Sequence, residues 1–146
     1  MAGFFRWRYC SDHGGVHQRR LAAIQVARRT GAVPVALTRH FRKAAALKRA
    51  GAEYVIATEE QDIVKEVSRL IGGKGARVIF DAVEAPGFAR LIASAAIDGM
   101  VLVYGVLSKE LNALPAIDTL RRRLTIRGFA VPGALEDEAK LAAIKS

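Results

Sequence analysis

From residue 21 onward, short runs of apolar, β-branched residues alternate with stretches whose apolar residues recur every three to four positions. This alternation constrains the fold more than any other feature, because strands separated by helices must cross over and pair in parallel. Residues 33–38, 54–57, 78–80, 100–104 and 125–129 read as strands. The run Val-Pro-Val-Ala-Leu-Thr at 33–38 lacks polar alternation, the pattern of a strand covered on both faces. Pro34 is tolerated near a strand beginning. Helical spacing covers residues 21–30, 42–50, 63–71 and 88–95, with a short helix at 115–122 and a last one at 136–145. Right-handed crossovers between such units give an α/β fold with a doubly wound parallel sheet. Ligands of such sheets bind at the carboxyl ends of the strands, near the point where the strand order reverses.

The punctuation agrees with this reading. Gly31 and Gly51 suit helix C-terminal caps. Thr58-Glu59-Glu60-Gln61 fits a capping box ahead of a helix whose stripe is Ile63, Val64, Val67, Leu70 and Ile71. Gly72-Gly73 stops that helix, and Asp98-Gly99 marks a turn. Gly72-Gly73-Lys74-Gly75 follows a helix instead of preceding one, so it reads as a connecting loop and not as a phosphate cradle.

Residues 1–20 differ in texture. They show no regular period, cluster Phe4, Phe5, Trp7 and Tyr9, and contain arginine and histidine but no lysine. The chain therefore divides into an atypical segment, 1–20, and a regular α/β region, 21–146. The first strand of the expected topology is central, so either residues 4–9 supply a substitute or neighbouring strands lose a partner.

With 146 residues, of which 51% are hydrophobic and 25% charged, the chain is expected to form one globular domain. A single cysteine, Cys10, excludes an internal disulfide and a cysteine-based zinc site. It fits a reducing, cytoplasmic setting. No apolar run has the length of a membrane span, so no membrane partner is expected. The formal net charge of +9 admits non-specific binding of polyanions. The basic residues are spread through helical segments without zinc-finger or RNA-strand signatures, which argues against a nucleic-acid partner.

Function concentrates at the strand ends. A fold that prefers NAD places a carboxylate after its second strand to hold the ribose 2′-hydroxyl. Here Thr38 is followed by Arg39, His40 and Lys43, cations that suit a 2′-phosphate. The alternative is that Arg39 and Lys43 are solvated residues at a helix start, where cations are mildly disfavoured. Thr58, the segment Asp81-Ala82-Val83-Glu84 and the segment Tyr104-Gly105-Val106-Leu107-Ser108 follow the next strands. No catalytic constellation emerges. His13, His17 and His40 lack metal-ligand spacing, and Ser108 has no base partner in the sequence.

The runs Leu21-Ala22-Ala23-Ile24-Gln25-Val26-Ala27, Gly51-Ala52-Glu53-Tyr54-Val55-Ile56, Gly73-Lys74-Gly75-Ala76-Arg77-Val78-Ile79-Phe80-Asp81, Val103-Tyr104-Gly105 and Leu124-Thr125-Ile126-Arg127-Gly128-Phe129 occur in an order and spacing that resemble a known family. It is the Rossmann-like cofactor domain of the medium-chain dehydrogenases, and within it the zinc-independent quinone oxidoreductases. The resemblance implies binding of the nicotinamide dinucleotide NADP(H), no zinc, and hydride transfer to a quinone, enone or similar carbonyl. It places Lys43, with Thr38 and Arg39, against the 2′-phosphate and sets Thr58 where a tyrosine is usual. Tyr104, Gly105 and Val106 fall along the nicotinamide, Val83 is a further expected cofactor contact, and Glu84 stands in place of a usual glycine. It also implies a homodimer through the edge strand at 125–129.

Two departures stand out. The family's catalytic domain is expected to lie outside these 146 residues, and Gln18-Arg19-Arg20 stands where its glycine-rich turn meets the helix, with Gly14 and Gly15 displaced by several residues. A shifted reading frame over residues 1–20, or ionic contacts from Arg19 and Arg20 replacing backbone contacts to phosphate, would each account for this. Sequencing the upstream DNA decides the first: a frame without a strand and glycine turn removes it. The reading is a cofactor-binding half of an oxidoreductase, with a non-catalytic module that keeps the fold as the alternative.

Overall fold

The computed structural model describes residues 4–7, 14–81, 87–104 and 113–128. Strands β1 (Phe4–Trp7), β2 (Val33–Thr38), β3 (Tyr54–Ala57), β4 (Ala76–Asp81), β5 (Ala95–Val103) and β6 (Thr125–Gly128) form one sheet. Their spatial order is β3-β2-β1-β4-β5-β6. Every pairing is parallel. Helices α1 (Gly14–Arg29), α2 (Ala44–Arg49), α3 (Ile63–Leu70), α4 (Phe88–Ala93) and α5 (Ala116–Arg121) make the crossovers, with a single 3-10 turn, Phe41–Lys43, leading into α2. The strand order reverses between β1 and β4, where ligands of doubly wound sheets bind.

The central strand is the segment without sequence period. Phe4–Trp7 pairs with β2 in the register Phe4↔Val33 to Trp7↔Ala36 and with β4 from Phe5↔Val78 to Trp7↔Phe80. Of the two outcomes open from the sequence, residues 4–7 supply the strand. A four-residue strand paired on both edges has all its order in long-range backbone bonds, which no local pattern announces.

Helix α1 starts at Gly14, seven residues before the aliphatic repeat that marks it in the sequence, and runs unbroken across positions 20 and 21. The change in texture at Leu21 is therefore not a break in the backbone. Ile24 and Ala27 are the buried positions of its described face, one turn apart.

Period-two alternation divides β2 between two cores. Val35 and Leu37 join Ile56, Ile79, Val101 and the α3 and α4 residues Ile63, Val67, Leu91 and Ile92 on one face. Ala36 faces the other way, with Ile24, Leu47 and Ala52. Each large aliphatic side chain fully withdrawn from water contributes about 1.5–3 kcal/mol. The larger cluster, under α3 and α4, thus carries most of the described packing energy.

Two boundaries differ from expectation. The cap of α3 is Asp62, whose side chain accepts the Lys65 N–H at 2.9 Å, and not the Thr58 hydroxyl. Gln61 does reach back to a backbone N–H, but to that of Ala57 at 3.0 Å. The Lys65 N–H bond holds the Asp62 carboxyl below its ordinary range. Strand β5 begins at Ala95, five residues early, because Ala76↔Ala95 and Val78↔Met100 are both paired. The extra residues are pushed out as a bulge centred on the expected Asp98-Gly99 turn, with Asp98 left-handed at φ 57°. The last helix expected at 136–145 and Phe129 lie outside the described residues.

Candidate functional site

All six parallel strands end on one edge of the sheet, and two neighbouring pairs of these ends are tied through the main chain. The Thr58 N–H donates to the Thr38 carbonyl at 2.7 Å, and the Glu59 N–H to the Arg39 carbonyl at 3.2 Å. On the other side of β1, the Tyr104 N–H donates to the Asp81 carbonyl at 2.9 Å. Thr38 and Asp81 are fully buried at this edge. The Tyr104 ring is also buried, stacked on Phe80 with centroids 4.1 Å apart and planes 20° from parallel.

Beyond Thr38 the chain turns outward. The Thr38 hydroxyl donates to the His40 carbonyl at 3.3 Å, which folds Arg39 and His40 over the end of β2. Thr38, Arg39, His40, Arg42 and Lys43 line a shallow recess there. Arg39 and Arg42 are exposed, and Lys43 is half-buried. The structure thus brings together Thr38, Arg39 and Lys43, as the sequence expects, and adds Arg42.

Sequence reading missed the carboxylates that approach this recess. Glu59 Oε2 lies 3.5 Å from His40 Nε2, and Glu60 Oε1 lies 3.4 Å from His40 Nδ1. Glu60 Oε1 also accepts the Phe41 N–H at 3.1 Å, pinning the 3-10 turn. The residues are 19 positions apart in sequence, and only the parallel pairing of β2 with β3 makes them neighbours. Both carboxylates approach His40 from the β3 side, and Glu60 also holds the turn.

The glycines also fall differently from expectation. Gly14 and Gly15 are the first two residues of α1, which follows central strand β1. In the sequence they stand apart from the aliphatic repeat, with Val16-His17-Gln18-Arg19-Arg20 between. These five residues are helical, so the glycines stand at the N-terminus of the same helix. Backbone N–H groups at a helix start carry partial positive charge and suit phosphate. Thr58 stands half-buried in the turn after β3. Val83, Gly105 and Val106 lie outside the described residues. Among the described residues, no three His, Cys, Asp or Glu side chains group as a metal site. No described helix is long and apolar enough to cross a membrane.

A parallel sheet of this order, with a glycine-opened helix after its central strand and polar strand ends at the switch point, defines the class of dinucleotide-fold domains. Within that class the particular family follows from comparison with known proteins. The profile of the zinc-binding dehydrogenases matches residues 21–145, and the chain belongs to that family. No curated protein matches the chain.

Solved structures share its fold. The Escherichia coli quinone oxidoreductase complexed with NADPH superimposes with a TM-score of 0.80 at 22% identity, over 97% of this chain and 42% of that one. The quinone oxidoreductase of Pseudomonas syringae pv. Tomato DC3000 gives 0.81 at 22% identity, over 99% and 43%. An NAD-dependent alcohol dehydrogenase gives 0.76 at 30% identity, over 88% and 36%. The chain therefore spans about two fifths of the length of these proteins.

Proposed function

We propose that this chain is the NADP(H)-binding half of an oxidoreductase of the quinone reductase type. The observation that carries the reading is the recess after β2, where Arg39, Arg42 and Lys43 stand at the position that selects the ribose substituent. A guanidinium and an ammonium there favour a 2′-phosphate through charge-assisted bonds. Gly14 and Gly15 at the start of α1 fit the pyrophosphate, and the ends of β4 and β5 fit the nicotinamide side. When bound, the nucleotide supplies or accepts a hydride. These residues bind and orient it toward the acceptor, a quinone, enone or similar carbonyl.

The exposed edge strand β6, with exposed Ile117 and Leu120 on the neighbouring α5, supports pairing of two copies through this edge. Sedimentation at micromolar concentration checks this, and a monomer counts against it. The test of the cofactor reading is calorimetric titration of the 146-residue chain with NADPH and, separately, NADH. The expected result is binding of NADPH at least tenfold tighter than NADH. Binding of neither nucleotide by folded protein overturns the reading and leaves a non-catalytic module that keeps the fold.

A further inference from the structure

The opposite edge of the sheet, at the amino ends of β4 and β5, holds a second cationic pocket that the nucleotide reading does not use. It is lined by Val64, Val67 and Ser68 of α3, Gly73 and Gly75 of the following loop, Ala93 and Ser94 at the end of α4, and Arg122. Its volume is about 110 Å³, several times the space one water needs. That is room for a small ion but not for a nucleotide.

Arg122 follows α5, and its guanidinium reaches inward, where Nη1 donates to the Ala95 carbonyl at 2.7 Å. Its Nε is buried and makes no hydrogen bond. Among the described residues no carboxylate pairs with it. Asp118, one turn earlier, accepts the Arg122 backbone N–H through its carbonyl, and Asp98 is engaged by Arg123. A cation at a helix C-terminus is favoured in itself, which explains the location of Arg122. It does not explain a full charge drawn against a cavity wall where, among the described residues, a single carbonyl accepts from its guanidinium. Arg122 is half-buried, so its guanidinium is only partly hydrated, and an anion beside it in the pocket offsets that cost.

The other walls are made for access. Gly73 and Gly75 both have φ 75°, so the loop keeps glycine at both positions. A Cβ on Gly73 would have Ser68 Oγ, at 4.0 Å, as its nearest neighbour, so side-chain space there is left empty. Lys74, exposed between the two glycines, adds positive charge nearby.

We propose that this pocket binds one small oxyanion, a phosphate, sulfate or carboxylate group, on the Arg122 guanidinium. The site is separate from the dinucleotide edge and lies where β4, β5 and α5 are clamped together.

The test is an amide-shift titration of the full chain with inorganic phosphate at constant ionic strength. Saturating 2′-AMP is present to occupy the recess after β2. Expected are saturable shifts at Gly73, Gly75 and Ser94 with millimolar or tighter affinity, weakened at least tenfold in Arg122→Gln. A second variant, Ala93→Leu, fills the pocket while keeping the charge and is expected to abolish the shifts. It decides the matter if Arg122→Gln does not fold. Shifts that are absent, that fail to saturate, or that persist in the folded variants overturn the proposal and leave Arg122 as a cap for Ala95. Shifts at Arg39 to Lys43 alone overturn it equally, since they place the phosphate at the nucleotide edge.

Discussion

The two edges of the sheet are built on different principles. At the carboxyl edge the described geometry is set by main-chain bonds between strand ends, and beyond buried Thr38, Asp81 and Tyr104 the exposed Arg39 and Arg42 and half-buried Lys43 project from the end of β2. At the amino edge the geometry is steric. Gly75 is left-handed, and a Cβ there would lie 2.5 Å from the Ala95 carbonyl oxygen. Gly99 in the bulge would meet the Ala96 carbonyl at 2.9 Å. The cations after β2 can be exchanged at little cost to the fold, while Gly75 and Gly99 accept no Cβ without a backbone shift.

Substitutions should separate the edges, and the largest effect belongs to the amino edge. Gly75→Ala combines a left-handed alanine with a backbone clash and is expected to cost about 3 kcal/mol or more. Urea unfolding checks this; a loss below about 1 kcal/mol would show that the loop relaxes easily. Next is Arg39→Ala with Lys43→Ala at the carboxyl edge. Removing these charge-assisted contacts should weaken NADPH binding about tenfold to a hundredfold, with NADH binding and unfolding midpoint nearly unchanged. Equal losses for both nucleotides would mean that the pair does not read the 2′-phosphate.

Smaller effects refine the picture. Glu60→Ala removes the acceptor for the Phe41 N–H and should cost about 1 kcal/mol of stability, while Glu59→Ala, which touches His40 alone, should cost less. Chemical denaturation of the two variants side by side measures the difference. The smallest effect is acid sensitivity. The Arg123 guanidinium holds the Asp98 carboxyl below its ordinary range. A depressed folded pKa contributes stability above the unfolded value, and this is lost as pH falls through the folded one. Wild-type stability is therefore expected to drop below about pH 4, with Asp98→Asn showing a slightly shallower drop. Unfolding midpoints at neutral and acid pH test the sign.

How much of this was legible in the sequence follows the same division. The stripe Ile63, Val67, Leu70, Ile71 and the pair Ile24, Ala27 announced α3 and α1, because a helix buries residues at a fixed local period. The apolar runs announced β2 to β6, and Asp98-Gly99 announced its bulge. Strand β1 was not legible as such, since four residues flanked by two partners have no period of their own. The start of α1 was hidden by a polar turn, His17 to Arg20, between the glycines and the aliphatic repeat. At the site, Arg39 and Lys43 could be read from a strand end followed by cations. The approach of Glu59 and Glu60 to His40, and of Arg122 to Ala95, depends on pairing across the sheet, which single-sequence patterns do not encode.

The central claim is that the carboxyl edge, from the start of α1 to the recess after β2, is the nucleotide site. The most direct test is to map NADPH binding by amide shifts on the isotope-labelled chain. The account predicts saturable shifts at Gly14, Gly15 and Thr38 to Lys43, with Gly73 to Gly75 and Ser94 unmoved. Saturable shifts confined to the amino edge, or none in folded protein, would contradict it.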